Sequence, residues 1–331
     1  MSRFLLPFLL IQGYLLRSPW FFMQELGLSL APYITGFNIG IGIVLLISAL
    51  FKSDKTLALV YVIAYSLSAY IFFNMLNYSY FDPAYMPVPY FSAHSTNSNT
   101  TLKIFYANIY YQNSHTATLL EQIQSYNPDI VMLVEYANLQ DQAIGEALQE
   151  EYPYTSRLLG VKWYDGDVIF ARTPLETIQH DNTSLLFSHV KTRHNSRDID
   201  IMLAHTSAPI SQRLFKLRNQ QLDELHHTIH SYISDNHPSN MLVAWDFNIT
   251  PFSSYYQWFE GSLASLGMRN ITRDLASTQY DSTIPYTWCL QNLRIICAHI
   301  DHLRFNQQAK LERIPIVGSD HYGFVGTLRI F

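Results

Sequence analysis

The sequence predicts a chain of two parts: N-terminal transmembrane helices, and then an α/β domain in which packed β-sheets are covered by helices. Two observations lead to this prediction. Charged residues make up only 14% of the 331 residues, against about 25% in a typical soluble domain, and the deficit is concentrated in the first 100 residues. From residue 102 onward, strand-like apolar runs alternate with helical patterns, as expected where helices cover sheets.

The N-terminal part contains two uncharged apolar stretches, residues 31–51 and 56–76. Each is long enough for a helix to cross a bilayer, and the connector 52–55 carries two lysines, which is typical of a cytoplasmic loop. The apolar segment 4–16 favours a third span; a signal-like segment or an interfacial helix are the alternatives. We therefore assign residues 1–76 to a membrane region of two or three helices. The remainder is expected outside the cytoplasm, in the periplasm if the protein is bacterial.

A polar, proline-containing stretch, residues 77–100, is predicted to be an irregular linker. It leads into the α/β domain, residues 101–331. Ser114 is a predicted N-cap, and Asn127-Pro128 ends the helix that follows it. A long helix over 211–234 is predicted to bury one stripe of side chains: Leu214, Leu217, Gln221, Leu225, Ile229 and Tyr232. Strands are predicted over 102–109, 129–134, 167–171, 186–192, 199–205, 241–244 and 324–330.

Polar side chains stand where several of these strands end or begin. Each one alone is more often a turn or helix-cap residue, so the prediction of a site rests on their combination. In extended geometry Asp246 and Asn248 would share one face, with Phe247 turned into the core. The full set is Asn108, Glu135, His205, Asp246, Asn248, Asp301, Asp320 and His321.

These residue types suit phosphoester hydrolysis. Magnesium takes oxygen ligands and is usually held by one or two carboxylates, a requirement that Glu135 and Asp320 would meet. Asp246 is suited to position a water. His321 is suited to act as a base or as a phosphate donor if a carboxylate, for which Asp301 is the candidate, holds its other nitrogen. His205 is suited to donate to the phosphate.

Six short stretches, in this order along residues 102–331, resemble the endonuclease/exonuclease/phosphatase superfamily. That superfamily includes DNase I-like nucleases, exonuclease III-type repair enzymes, inositol-polyphosphate phosphatases and neutral sphingomyelinases. The resemblance implies a four-layer α/β sandwich, with two mixed β-sheets flanked by helices, and a phosphoesterase that uses Mg²⁺ or Mn²⁺. The stretches are Ala107-Asn108, Val134-Glu135, Ala204 to Pro209, Trp245 to Asn248, Ile300 to His302 and Gly318 to His321.

The resemblance also implies roles for individual residues. Glu135 would be a direct metal ligand, His205 would contact the scissile phosphate, and Asp301 would orient His321. Asp246 and Asn248 would orient the nucleophilic water and bind phosphate. The implied metal set is Asn108, Glu135 and Asp320, and the implied catalytic set is His205, Asp246, Asn248, Asp301 and His321.

Two departures from the family pattern bear on the substrate. Trp245 stands where the family usually has glycine, which predicts a reshaped pocket wall. Asp167 stands where a small or apolar residue is common, and Asp165 or Asp167 is an alternative partner for His205. Cys289 and Cys297 flank a predicted turn and would form a disulfide in an oxidising compartment; two small buried residues are the alternative.

The substrate stays open between nucleic acid, a lipid headgroup and a small phosphorylated solute. Nuclease leads among named activities by analogy with the family, although the excess of acidic residues gives no broad attraction to nucleic acid. A non-catalytic binding protein is disfavoured because every site residue is present. We expect contact with a lipid bilayer through the N-terminal helices and infer no obligate protein partner. The candidates for a basic DNA-binding rim are Lys162, Arg172, Lys191, Arg193 and Arg197.

Overall fold

The computed structural model describes most of the α/β domain. The predicted membrane region and linker, together with the third-span alternative, lie almost entirely outside the described residues and stay predictions. Within the part of the chain that is described, no helix is both long and apolar enough to span a bilayer. The described residues are 40, 43, 44, 47, 66 and 100–331, the latter without 160–165, 182–185, 250–252, 273–287, 290–296 and 299–300.

The chain divides into two compact units, and the second contains both large sheets and the site described below. The first unit comprises residues 1–93 and 250–261, and the second comprises 94–249 and 262–331. Helix α5, Ser254–Ser265, contributes residues to both units.

The elements given next lie within the second unit. The helical elements are α1 (Thr116–Tyr126), α2 (Asn138–Gln140), a π-helical turn (Asp141–Gly145), α3 (Glu146–Glu151) and α4 (Gln212–Asn236). The strands are β1 (Thr101–Asn108), β2 (Ile130–Val134), β3 (Tyr154–Leu159), β4 (Gly166–Ala171), β5 (Leu175–Asp181), β6 (Leu186–His194), β7 (Arg197–His205), β8 (Met241–Asp246), β9 (Arg269–Asn270), β10 (Trp288–Cys289), β11 (Cys297–Ala298), β12 (Asp301–Phe305), β13 (Ala309–Pro315) and β14 (Tyr322–Arg329).

Two six-stranded mixed sheets form the framework. The first has the order β13-β14-β1-β2-β4-β3, and the second has the order β5-β6-β7-β8-β12-β9. Among the described strands, each sheet contains one parallel pair, β1 with β2 and β7 with β8. A separate two-stranded ribbon pairs β10 with β11 and places Cys289 opposite Cys297; the disulfide stays a prediction.

The two sheets pack face to face through one apolar layer. The strands of both sheets are strongly apolar on this face, and burying such side chains stabilises a fold by about 25 cal/mol per Å² removed from water. A second cluster packs the outer face of the first sheet against α1, the π-helical turn and α3, while α4 contacts the outer face of the second sheet through Tyr232. Fully buried members of the layer between the sheets include Ile104, Met132, Ile169, Ile201, Leu203, Leu242, Leu303 and Phe324.

This architecture confirms the prediction of two mixed sheets flanked by helices. The predicted strands match β1, β2, β4, β6, β7, β8 and β14 with shifts of one or two residues, and the long helix matches α4. The end of α1 is also confirmed, because Asn127 adopts the left-handed conformation that closes a helix (φ 48°). Its start is not: His115, rather than Ser114, occupies the N-cap position, and its side chain makes no capping bond.

Candidate active site

The parallel strand pairs bring the predicted site residues to one edge of each sheet. In the first sheet, Asn108 lies opposite Val134, the residue before Glu135. In the second sheet, His205 lies opposite Asp246, and Asp246 also lies opposite Asp301 on its other side. Because ligand sites form beyond the carboxyl ends of parallel strands, these registers place the candidates from each sheet beside one another.

Asn108 connects the two sheets. Its side-chain Nδ2 donates to Glu135 Oε1 at 2.9 Å and to Asp246 Oδ2 at 3.0 Å, and its Oδ1 accepts from the backbone N–H of Tyr110 at 2.9 Å. Asn108 is fully buried, so these bonds act in a low-dielectric environment. The amide therefore fixes one carboxylate from each sheet in the same place.

Glu135 follows β2 in the left-handed backbone region, with φ at 56°. This conformation is uncommon for residues other than glycine and is concentrated at functional sites. The Oε2 atom of Glu135 accepts from the backbone N–H of Tyr111 at 3.2 Å, and its Oε1 lies 3.9 Å from His205 Nε2. The carboxylate remains partly exposed, so a ligand can reach it.

Asp246 and Asn248 lie together, but not for the reason predicted. Strand β8 ends at Asp246, and Asn248 has a φ of 50°, so the segment turns instead of staying extended. The backbone N–H of Asn248 donates to Asp246 Oδ1 at 2.9 Å, and the Asn248 amide lies 3.4 Å from His205 Nε2. Phe247 is fully buried, as expected.

His321 is held by Asp301. The ring Nδ1 donates to Asp301 Oδ2 at 2.8 Å, and Tyr106 Oη donates to the other oxygen of that carboxylate at 3.1 Å. Burial alone would lower the pKa of His321. The Asp301 carboxylate, followed by Asp246 and Asp320, outweighs this effect and raises the pKa to about 10. Near neutral pH the imidazole is therefore protonated and can donate through Nε2.

The pKa of Asp246 is also raised, but by different causes. Burial raises the pKa of its carboxyl group, and the neighbouring Asp301 carboxylate raises it again, to about 6. The attractions of His321 and His205 limit this rise. A carboxyl group with a pKa near 6 is a better proton acceptor than an ordinary aspartate at neutral pH.

The turn before β14 is fixed to Asn108. Ser319 Oγ donates to the backbone carbonyl of Asn108 at 2.9 Å and accepts from the backbone N–H of His321 at 3.0 Å. Gly318 has a φ of 77°, and a Cβ there would come within 2.0 Å of Asn113 Oδ1. Glycine at this position therefore avoids both the strain of a positive φ and a clash with Asn113.

Glu135, Asp246 and His321 offer ligand atoms that all lie within 4.8 Å of one another. Carboxylate oxygens are the donors that magnesium and manganese take, and a cation would offset the crowding of negative charge that raises the pKa of Asp246. The Glu135 and Asp246 carboxylates thus fit a divalent ion, whereas His321, protonated and bonded to Asp301, lies beside them as a hydrogen-bond donor. Asp320 is not in this cluster of the described residues, but its charge raises the pKa of His321 and of Tyr110. Its ligand role stays a prediction.

Two residues that depart from the family pattern, Trp245 and Asp167, are buried in the structure. Trp245 is completely buried and stacks on Phe247, with ring centroids 4.2 Å apart. It is therefore a core residue with no exposed surface, and the expected reshaping of the pocket wall stays a prediction. Asp167 is also fully buried and lies opposite Val134 in the β2–β4 pair, whereas Asp165 lies outside the described residues.

The described members of the predicted basic rim do not surround this site. Arg193 and Lys191 lie 2.6 Å and 3.6 Å from Asp198 carboxylate oxygens, near the β6–β7 turn. Arg197 begins β7, eight residues from His205, which is about 26 Å along a strand. Arg172 lies at the opposite end of the β2–β4 pair from Glu135 and contacts Glu151. Lys162 lies outside the described residues.

Several residues of the site network were not predicted from the sequence. Thr206 Oγ1 donates to the Phe247 carbonyl at 2.7 Å, and Arg218 donates to the Asn248 carbonyl at 3.0 Å. Gln221 Oε1 accepts from the Ser207 N–H at 2.8 Å. The stretch Arg218 to Gln221 resembles a stretch after the histidine strand in membrane-tethered bacterial members of the superfamily, and Gln221 was also predicted in a buried stripe, but neither residue was assigned to the site. An arginine on a long helix usually indicates a solvated face.

The fold and the buried polar cluster at the sheet edges define a two-sheet α/β phosphoesterase. A sequence model of the Endonuclease/Exonuclease/phosphatase family matches residues 105–321. The chain belongs to this family, whose members are divalent-metal-dependent hydrolases acting on phosphoester bonds. A search of curated proteins finds no match.

Solved structures support the fold. An endonuclease/exonuclease/phosphatase from Beutenbergia cavernae aligns with 16% identity and a TM-score of 0.52, over 70% of this chain and 72% of that one. TDP2 from C. elegans aligns with 13% identity and a TM-score of 0.55, over 70% and 76%. The human Nocturnin catalytic domain, solved with a bound sulfate, aligns with 18% identity and a TM-score of 0.52, over 69% and 93%. At these identities the similarity shows the fold alone.

Proposed function

We propose that this chain is a membrane-anchored phosphodiesterase that depends on Mg²⁺ or Mn²⁺. One observation carries the chemistry: a buried amide, Asn108, holds Glu135 and Asp246 together beside a histidine that is held by Asp301. Phosphodiester hydrolysis requires an oriented water, a proton acceptor and positive charge at the phosphate. This cluster provides a group for each requirement.

In the proposed reaction, the oxygen of a water forms a bond to phosphorus while the bond to the departing ester oxygen breaks, and that oxygen takes a proton from solvent and leaves as an alcohol. Asp246 orients the water and accepts its proton, a role that its raised pKa supports. The Asn248 amide and His205 contact the phosphate oxygens. The raised pKa of His321 supports a donor role over a base role, so the protonated imidazole stabilises the negative charge that builds up on the phosphate.

Glu135, Asp320 and Asn108 are the proposed metal site, and Asp246 and His321 lie beside it. When bound there, a divalent ion would add positive charge against the phosphate oxygens. The protein itself supplies the geometry, because Asn108 and Tyr111 orient the Glu135 carboxylate from two sides.

Hydrolysis by the full-length protein in detergent micelles tests this function. The panel contains a generic phosphodiester, a phosphomonoester, single- and double-stranded DNA, RNA and sphingomyelin, each with magnesium, manganese or chelator. We expect metal-dependent cleavage of at least one diester, and loss of cleavage in Asp320→Ala and His321→Ala. Activity that survives the chelator and both substitutions would overturn the mechanism.

The anchoring part of the proposal rests on the two uncharged stretches of the sequence, residues 31–51 and 56–76. It places the catalytic domain outside the cytoplasm. Fusion of alkaline phosphatase or a green fluorescent protein after Phe331 tests this orientation in a bacterial host. We expect the alkaline phosphatase fusion to be active and the green fluorescent protein fusion to be dark. An inactive phosphatase fusion together with a fluorescent second fusion would refute the orientation.

A lipid headgroup is the second candidate substrate, and one surface feature favours it. Five residues after His205, Ile210 is 75% exposed at a tight turn in which its N–H donates to the Ala208 carbonyl at 2.8 Å. Arg213 and Lys216 are exposed just beyond it on α4. An exposed apolar side chain beside two cations suits the interface of an anionic membrane.

Vesicle and solution assays distinguish these substrates. We expect Ile210→Asp to lower hydrolysis of a lipid diester in vesicles about tenfold, because a charge there would disfavour insertion into the interface. The same variant should leave hydrolysis of a soluble diester unchanged. Ile178→Asp, at another partly exposed isoleucine, is the matched control and should change neither rate. Equal losses on both substrates would contradict a lipid-specific surface.

A further inference from the structure

We propose that Arg218, a buried arginine of helix α4, is a positioning residue that holds Asn248 in its working conformation. The inference rests on the proposed function insofar as Asn248 is taken to contact the substrate phosphate. The way in which the backbone of Asn248 is held does not depend on that function and can be measured without any activity.

The Arg218 guanidinium is fixed from several directions. It has no exposed surface. Its Nε and Nη2 donate to Asn219 Oδ1 at 3.1 Å and 2.8 Å, and its Cζ lies over the Phe215 ring, 4.7 Å from the centroid. The remaining nitrogen, Nη1, donates to the backbone carbonyl of Asn248 at 3.0 Å. A group oriented this firmly can define the position of the carbonyl that it contacts.

Asn248 needs such support. Its φ of 50° lies in the left-handed region, which is unfavourable for residues with a side chain although asparagine tolerates it best. Both of its peptide groups are held by charged side chains: the N–H donates to Asp246 Oδ1 at 2.9 Å, and the carbonyl accepts from Arg218. The backbone of Asn248 is therefore fixed on both sides.

This fixed backbone sets the position of the Asn248 side chain. The amide Nδ2 donates to the Thr206 carbonyl at 2.9 Å and lies 3.4 Å from His205 Nε2. The same helix holds the loop that follows His205, since Gln221 Oε1 accepts from the Ser207 N–H. Helix α4 thus supports both the loop that follows His205 and the loop that carries Asn248.

Loss of the Arg218 bond would leave the Asn248 carbonyl without this donor and make other backbone conformations accessible. The amide would then leave the orientation that it needs toward the phosphate. Small misplacements of substrate-positioning groups can lower rates by about a hundredfold. A lysine at this position keeps the charge but cannot reproduce the two bonds to Asn219, so it should restore the position only in part.

A double-mutant cycle on the full-length protein tests the coupling. The variants are Arg218→Met, Asn248→Ala and their combination, assayed for kcat/KM on the generic phosphodiester. We expect Arg218→Met to lower kcat/KM about tenfold or more, with Arg218→Lys in between. In the Asn248→Ala background we expect less than about a twofold further loss. Independent, additive losses would overturn the proposal. Should Arg218→Met fail to fold, the same cycle with Arg218→Lys decides.

Hydrogen exchange of peptides covering residues 245–249 gives a readout that does not depend on activity. We expect faster exchange there in Arg218→Met. Arg304→Met is the matched control, because Arg304 is also buried and donates to a backbone carbonyl, that of Met268. It should lower the melting temperature without changing exchange over 245–249. Unchanged exchange in Arg218→Met overturns the positioning role, whereas an inactive wild-type protein with the expected exchange result overturns only the proposed function.

Discussion

Asn108 shows how one residue can determine the electrostatics of the site. Its amide nitrogen donates to carboxylates from both sheets, so it offsets part of the repulsion between them. A residue of the same shape with no hydrogen to donate would leave both carboxylates facing an acceptor. In a buried site, hydrogen bonds to charged groups are worth about 1.5–3 kcal/mol each.

We therefore expect Asn108→Asp to lower the free energy of unfolding in chelator by about 3 kcal/mol. Added magnesium should restore part of the loss, because the new carboxylate is itself an oxygen ligand. Urea unfolding with and without metal measures both effects. Asn240→Asp is the control, since Asn240 is equally buried and bonds to the Asp198 and Phe331 carbonyls. It should lose stability with no response to magnesium.

His321 predicts a pH dependence of stability. Its folded-state pKa, about 10, lies above the unfolded value of about 6.5. The stability that it contributes is therefore present in full below about pH 6.5 and is lost as pH rises toward 10. In chelator, the difference in unfolding free energy between wild type and His321→Gln should shrink from pH 6 to pH 10. A difference that is independent of pH would contradict the Asp301–His321 ion pair.

At the scale of elements, helix α4 supports two loops of the site through Arg218 and Gln221. The residue that closes its C-terminal end is not the one usually preferred there. His237 closes it in the left-handed conformation, with φ at 47°, where glycine is usually preferred.

We expect His237→Gly to stabilise the protein by about 0.5 kcal/mol, because glycine adopts this conformation without steric cost. His230→Gly, at an exposed position inside the same helix, should destabilise it by about 1 kcal/mol. Thermal unfolding of both variants measures the contrast. Destabilisation by both would show that His237 makes a contact that outweighs its backbone cost.

The elements also show which parts of the fold the sequence predicts. Strands β2 and β8 are continuous apolar runs and were identified. Strand β13 is an edge strand in which charged residues alternate with Leu311 and Ile314, so its pattern resembles a loop. Strand β12 begins Asp301-His302, yet is buried throughout. Its polar groups are acceptable only because Asp301 and Arg304 find partners far along the chain, which no local pattern reveals.

The same limit applies to the site. Its strand-end residues were predicted, because their order along the chain resembles a known family. The helix stripe was only half correct. Gln221, Leu225 and Ile229 are buried as predicted, but Leu214, Leu217 and Tyr232 are only partly buried, and Phe215 and Arg218 are buried instead. Arg218 contacts the loop that carries Asn248, and that contact joins residues 30 positions apart, which no local pattern reveals.

At the scale of the whole molecule, metal binding should be linked to folding, because Glu135 and Asp246 come together only when the two sheets pack. A ligand at a hundred times its dissociation constant stabilises the folded state by about 2.7 kcal/mol. We expect magnesium or manganese to raise the melting temperature of the wild type and to have little effect on Glu135→Gln. An equal shift in both would place the ion elsewhere.

The bond between Asn108 and Asp246 has one more consequence, since it joins the two sheets at the edge of the layer that separates them. The apolar side chains between the sheets act as a spacer, and their volume sets how far apart the two halves of the catalytic cluster stand. Leu203→Ala would thin this spacer at a fully buried position. The rate is measured on the folded enzyme. A change larger than the accompanying loss of stability explains would show that the volume of the core sets the geometry of the catalytic cluster.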